Sequence, residues 1–200
     1  MGYLIKIIKP HIAVFLGVNP VHSAQFDATV PSRFKGKSRF QKILKNIAHE
    51  KAKIITHNSN LKTAIVNTDD NFVTQATSRQ AQNKLITVGK NNIASIQTLS
   101  TSCGPNGFMA EFLINGKKHQ LTLRNQVLPH IYHISFAAAL AVAQSLGIKP
   151  SMAIEDLTAF HPPASRSGLL KGINNSQIID SSYNSSPGTT EEMLLLLKEF

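Results

Sequence analysis

The stretch Ile178-Ile179-Asp180-Ser181-Ser182-Tyr183-Asn184-Ser185-Ser186-Pro187 constrains the fold of this chain more than any other. Two residues of the buried type run into a carboxylate. A loop of small residues with one tyrosine and one asparagine follows, and Thr189-Thr190-Glu191-Glu192 then starts a helix. Strand, polar loop and helix in that order are how an α/β protein presents groups to a nucleotide or phosphate at the carboxyl end of a strand. By itself such a loop is equally an ordinary connection, so its meaning depends on what stands upstream.

The same order recurs from the N-terminus. His11 to Leu16 reads as a short buried strand, with Gly17 to His22 as the loop at its end. Residues 27–39 read as a polar loop or insertion. Apolar residues at 40, 43, 44, 47 and 48 predict a helix over Phe40 to Lys53. Leu61 to Val66 is a second strand, ending in the turn and N-cap residues Asn67-Thr68-Asp69-Asp70. Lys84 to Gly89 is a third.

From Ile93 to Leu123 the pattern turns β-like. Phe108, Ala110, Phe112 and Ile114 alternate, and Asn115-Gly116 signals a hairpin, so an antiparallel excursion is expected. Ile134 to Leu146 is alanine-rich and apolar nearly all round, a buried helix ended by Gly147. A short helix capped by Ser151, with Glu155 and Asp156 early in it, follows. His161-Pro162-Pro163 breaks the pattern and marks a domain boundary. Leu169 to Lys171 and Ser176 to Asp180 read as two strands. The last helix, Thr189 to Phe200, carries Leu194 to Leu197 with no later segment to cover it.

Composition narrows the function classes. A content of 42% hydrophobic and 16% charged residues describes a chain that can bury a core. The single cysteine, Cys103, excludes an intramolecular disulfide and a cysteine zinc cluster and fits a reducing compartment. The longest apolar runs, such as Ser135 to Val142, are too short to span a bilayer, and the N-terminus has no signal-peptide pattern, so the chain reads as cytoplasmic. The net charge of +10 raises nucleic-acid binding. Residues 31–53 hold Arg33, Lys35, Lys37, Arg39, Lys42, Lys45, Lys51 and Lys53 against Glu50 alone, with Phe34 and Phe40 the aromatics among them. That is a solvated basic loop and helix face rather than a nucleic-acid surface, or an attractor for a polyanionic nucleotide substrate.

No His-Glu-x-x-His, Gly-x-Ser-x-Gly, Gly-x-Gly-x-x-Gly or Gly-x-x-x-x-Gly-Lys-Ser/Thr occurs. Gly36-Lys37-Ser38 approaches the last, but Pro31 stands where its first glycine belongs.

Asp180 to Pro187 resembles the Asp-Asp-Ser-Tyr-Asn-Ala-Asn-Pro signature of the Mur ligases. Pro162-Pro163-Ala164-Ser165-Arg166 resembles that family's Pro-x-x-Gly-Arg. Ile12 through Pro20-Val21-His22 is similar to its strand followed by Asn-Ile-Gly-x-x-His. Ile47-Ala48-His49-Glu50-Lys51-Ala52-Lys53-Ile54 is similar to its Ile-Ala-x-x-Lys-x-x-Ile helix, and Ala64 to Asp70 to its Val-Leu-Asn-Ala-Asp-Asp. These motifs fall in the family's order and cover almost the whole chain. Ser165 replaces the glycine and Ser181 the second aspartate.

The resemblance implies an α/β fold: the C-terminal part of the central ATPase domain over residues 1–161, a mostly parallel sheet with a small antiparallel excursion. A Rossmann-like C-terminal domain would begin over 162–200. It implies an ATP-dependent amide ligase of peptidoglycan precursor synthesis, of the branch that adds D-Ala-D-Ala to UDP-MurNAc-tripeptide through an acyl phosphate, with ATP and Mg2+. Folylpolyglutamate or cyanophycin synthesis within the family and a non-catalytic basic binding module are the alternatives.

His22 matches a magnesium-contacting histidine. Lys51 matches a lysine carried as a carbamate, a hard oxygen ligand suited to magnesium. By composition alone Lys53 is an equal candidate. Arg166 matches an ATP-phosphate arginine, Asp180 the carboxylate that holds the ribose, and Tyr183 and Asn184 border the nucleotide. Outside the resemblance, Arg166 could pair with a carboxylate and Asp180 could cap its own turn. Without a phosphate-binding loop the chain is expected to be an incomplete piece, inactive alone unless a complementing chain supplies that loop.

Overall fold

A computed structural model describes residues 1–20, 23–80, 84–183 and 186–200. The chain divides into two units, Met1–Ser95 and Ile96–Phe200.

In the first unit a six-residue helix, α1 (Gly2–Ile7), precedes three parallel strands, β1 (Ile12–Phe15), β2 (Thr63–Asn67) and β3 (Leu85–Gly89). The register runs from Ile12↔Thr63 to Phe15↔Val66, and from Ala64↔Leu85 to Asn67↔Val88. Parallel neighbours need a crossover. α2 (Gly36–Thr56) joins β1 to β2, and α3 (Asn71–Thr77) lies between β2 and β3. The apolar stripe of α2 serves two clusters. Ala52 and Ile55 pack with Ala13, Phe15, Leu61, Ala64, Val66 and Val73. Ile43, Leu44 and Ile47 pack with Val30.

α2 begins a full turn before the expected Phe40. Arg39, in the added turn, ties the preceding segment to the helix. Its guanidinium binds both carboxylate oxygens of Asp27 at 2.9 and 2.8 Å and the carbonyls of Asp27, Val30 and Pro31 at 2.7, 3.0 and 3.1 Å. This holds Asp27 below the ordinary carboxylate range. The 27–39 segment is therefore not a loose insertion. Part of it is a 3-10 helix, Ser23–Thr29, and the rest is fastened to α2.

The second unit opens with an antiparallel meander, β4 (Ile96–Gly104), β5 (Gly107–Ile114) and β6 (Lys117–Arg124). The expected hairpin forms at Asn115-Gly116. Both have positive φ, 51° and 75°, as a two-residue turn with right-handed strand twist requires. Phe108, Ala110, Phe112 and Ile114 all face inward, as their alternation predicts. They meet α4 (Tyr132–Ser145) through Phe108 and Phe136, whose ring centroids lie 5.6 Å apart. Gly147, at φ 78°, ends α4: its N–H reaches Gln144 O at 3.0 Å, and Ile148 N–H reaches Ala143 O at 3.0 Å.

α5 (Pro150–Leu157) does not use Ser151 as its cap. Lys149 stands at that position without a side-chain bond and Pro150 opens the helix, so Glu155 and Asp156 fall late in it. β7 (Gly168–Lys171) and β8 (Gln177–Asp180) form a separate antiparallel pair. Ile178 is half exposed rather than buried, because this two-stranded ribbon leaves it uncovered. α6 (Pro187–Leu197) is capped by Ser186, whose hydroxyl accepts from Thr189 N–H at 3.2 Å. It buries Leu196 and exposes Leu194, Leu195 and Leu197.

Candidate functional site

The antiparallel register Gly168↔Asp180 brings the Pro163–Ser167 turn beside the loop after β8. Asp180 is the centre of what results. Its Oδ2 accepts from Ser165 Oγ at 2.9 Å, and its Oδ1 accepts from Ser182 Oγ at 2.7 Å and Ser182 N–H at 3.1 Å. The Ser182 hydroxyl, then Ser165, then the Ser182 amide hold this carboxyl below its ordinary value, so it is an anion at neutral pH. Tyr183 N–H returns to Ser165 O at 3.2 Å. The Arg166 guanidinium lies 4.4 Å from the centre of the Tyr183 ring. Among the described residues it has no carboxylate partner, so the simple ion-pair reading of Arg166 does not hold. The cap reading of Asp180 holds in part, since the carboxylate closes the Ser182 turn.

Ser165 and Ser167 both have positive φ, 60° and 64°. Non-glycine residues hold that conformation only when their surroundings fix it. Ser167 is buried, with its hydroxyl 3.6 Å from Met193 Sδ, and Ser165 is fixed by Asp180. The cluster thus offers an anionic carboxylate that can accept from hydroxyls, a planar cation with its edge open, and an exposed aromatic face. That donor set suits a nucleotide: ribose hydroxyls on the carboxylate, phosphate oxygens on the guanidinium.

In the first unit, three side chains tie together the loops at the carboxyl ends of the parallel strands. Asp70 caps α3 by accepting from Phe72 and Val73 N–H at 2.8 and 3.0 Å, and its other oxygen accepts from Val18 N–H at 2.9 Å. Asn67 Nδ2 donates to Leu16 O at 2.8 Å. Asp69 accepts from the amides of Lys90 and Asn91 at 2.7 and 3.1 Å. The last contact requires Gly89, where a Cβ would stand 2.8 Å from Asp69 Oδ1 and 2.6 Å from Thr68 Oγ1. Lys51 is exposed on α2, whereas Lys53 is engaged by Glu50 at 2.5 Å. That separates two lysines the composition left equal. His22 and Asn184 lie outside the described residues.

One cluster gave no sequence signal. His130 Nδ1 lies 2.8 Å from Thr101 Oγ1, its Nε2 lies 3.2 Å from Cys103 Sγ, and Glu199 approaches that nitrogen at 3.7 Å. Burial, and then Glu199, push the Cys103 thiol up to about 11, so it is protonated at neutral pH and is not an activated nucleophile. Among the described residues no group of three His, Cys, Asp or Glu could hold a metal ion, and no helix is long and apolar enough to cross a membrane.

Residues 2–143 match the Mur ligase middle domain. The chain belongs to the Mur ligase family. The packing division at Ser95 and Ile96 falls inside this match, and the Arg166–Asp180 cluster lies beyond it. No curated protein sequence matches the chain. Among solved structures, a MurF ligase from Thermotoga maritima in complex with ADP superposes with a TM-score of 0.72 at 20% identity, over 100% of this chain and 42% of that one. A UDP-N-acetylmuramoylalanyl-D-glutamyl-2,6-diaminopimelate–D-alanyl-D-alanyl ligase from Acinetobacter baumannii gives 0.75 at 16%, over 100% and 40%. The apo form of L. casei FPGS gives 0.68 at 14%, over 96% and 43%. At such identities these likenesses show the α/β fold of a Mur ligase. The chain spans about two fifths of the length of each structure it resembles.

Proposed function

We propose that this Mur ligase chain forms part of a cytoplasmic ATP-dependent amide ligase of peptidoglycan precursor synthesis, joining D-Ala-D-Ala to UDP-MurNAc-tripeptide. The observation that carries the reading is the Asp180–Ser165–Arg166–Tyr183 cluster in a chain whose residues 2–143 match the Mur ligase middle domain. Bound ATP supplies the phosphoryl group that activates a substrate carboxylate for attack by an amine. The residues of this chain bind and orient. Asp180, ionised and steered by two serine hydroxyls, accepts from the ribose. Arg166, stacked on Tyr183, offers its open edge to phosphate oxygens.

The boundary we infer between the central and C-terminal domains, at 161/162, rests on Pro162-Pro163 and on the end of the middle-domain match at residue 143. The described residues do not by themselves make a magnesium site. We assign Mg2+ binding to His22 and to Lys51 as a carbamate, and a mass increment of one carbon dioxide on Lys51 in bicarbonate is the check. With no Gly-x-x-x-x-Gly-Lys-Ser/Thr in these 200 residues, turnover requires a segment or partner chain that carries one.

ADP binding followed by NMR line broadening tests the nucleotide site. Asp180→Asn and Arg166→Ala are each expected to weaken it about tenfold. Unchanged affinity in both variants removes the reading. The superposition on FPGS favours a second amide ligation within the same family. Once a phosphate-binding loop is supplied in trans, D-Ala-D-Ala and glutamate as competing amines decide between them.

A further inference from the structure

The opposite end of the parallel sheet carries a basic cleft that the nucleotide reading does not use. α1 enters β1, and α2 leaves toward β2, so their junction lies at the amino ends of those strands, away from the loops that Asp69 and Asp70 tie together. A cavity of about 510 Å³ opens there, a volume in the range of small-molecule sites. Its floor is the buried Ile5 and Asn58, and Asn58 is fixed by its bond to Pro10 O at 2.8 Å. Lys6, Lys9, Lys53 and His57 stand around it. Lys53 is shared with Glu50, but Lys6 and Lys9 have no partner among the described residues. No Asp or Glu lines the cleft itself; Glu50, at its edge, binds the Gly2 amide and Lys53.

The surroundings strengthen that field. The first unit holds fourteen Lys or Arg against four Asp or Glu, a net +10, while the second holds seven of each, a net of zero. A concave wall with an excess of positive charge focuses potential onto a counter-ion. We infer that this cleft binds a chain of phosphates, either free polyphosphate or the phosphate tail of a nucleotide, through Lys6 and Lys9. The concave shape favours a small polyanion over an extended nucleic acid.

Calorimetric titration of the full chain with inorganic tripolyphosphate, and separately with ATP, tests this. The expected result is 1:1 binding of tripolyphosphate that weakens as salt rises and falls at least about tenfold in K6Q/K9Q, with thermal unfolding unchanged. K35Q/K37Q, on the exposed start of α2, should leave it intact. If ATP binding suffers the same loss in K6Q/K9Q, the phosphate tail is one source of the ligand. If ATP is unaffected while tripolyphosphate is lost, free polyphosphate is the source. Tripolyphosphate binding that is absent, that survives K6Q/K9Q, or that is lost equally in K35Q/K37Q overturns the inference; the last two would show diffuse attraction to the basic unit.

Discussion

Ser165 stands where the Mur ligase motif carries glycine, and its backbone keeps the glycine conformation, with φ at 60°. Two substitutions isolate what that costs. Ser165→Gly and Ser165→Ala both remove the hydroxyl that donates to Asp180 at 2.9 Å, so that bond cancels in the comparison of one with the other. What remains is backbone. A left-handed conformation costs an L-residue roughly 1–2 kcal/mol. Glycine in turn gives up roughly 0.5–1 kcal/mol through its larger unfolded-state entropy. The glycine variant is therefore expected to be more stable than the alanine variant by about 0.5–1 kcal/mol. At an m-value of about 2 kcal/mol/M this is about 0.3–0.5 M in the urea midpoint. Urea unfolding followed by tyrosine fluorescence reads it directly, since the Tyr183 N–H is bonded to the Ser165 carbonyl. At an ordinary φ the order is reversed, alanine being favoured by about 0.4–1 kcal/mol. A Ser165→Ala midpoint equal to or above that of Ser165→Gly would refute the strained turn and the architecture around Asp180 with it.

Glu50 receives Lys53, the N-terminal ammonium and the Gly2 amide, which together depress its carboxyl from 4.5 to about 2. A folded value below the unfolded one contributes stability above pH 4.5 that is lost as pH falls toward about 2, so Glu50→Gln should flatten thermal stability over that window. With its thiol near 11, Cys103 should react slowly with iodoacetamide at pH 7.5 in the native protein and much faster in urea. Equal rates would contradict the raised thiol. Phe136, buried between Phe108 and Phe160 with centroids 5.6 and 5.3 Å away, should cost about 3–5 kcal/mol on replacement by alanine, read as a fall in melting temperature.

What the residues announced was mostly local. Asn115-Gly116 specified its turn because only that backbone closes a two-residue hairpin, and the alternation of Phe108 to Ile114 specified which face met α4. Asp70 was legible as a helix cap, but its second oxygen reaches back 52 positions to Val18, and no local pattern encodes that. The same distance problem hid the His130 cluster, whose members Thr101, Cys103 and Glu199 meet only after α6 returns to the meander. Ser151 misled because serine is a common cap, while Pro150 suits the first helical position better and moved the start back. Ile178 and Ile179 looked like interior strand because their side chains are apolar. A two-stranded ribbon offers them one covered face at most. At the candidate site, Asp180, Arg166 and Tyr183 followed from the resemblance, whereas the serine hydroxyls that aim Asp180 follow only from register.

The basic stretch separates into two kinds of cation, and this yields a test of how it should be read. Arg39 is consumed by the Asp27 carboxylate and four carbonyls, Lys53 by Glu50, and Arg33 and Lys42 lie 5.2 and 4.2 Å from the Phe34 ring centre. Lys35, Lys37, Lys45 and Lys51 are exposed. A planar fork that holds six acceptors across a loop cannot be replaced by a point charge, so Arg39→Lys should lower the melting temperature almost as far as Arg39→Gln. Lys35→Gln with Lys37→Gln should leave it unchanged. Were the stretch a nucleic-acid surface, those lysine changes would abolish RNA binding, and Lys35, Lys37, Lys45 and Lys51 together would give a salt slope of about −3 on single strands. On the structural reading RNA binding stays weak and insensitive to Lys35 and Lys37, while the arginine changes unfasten residues 27–39 from α2. An Arg39→Lys protein that melts with the wild type would show that the charge alone matters there.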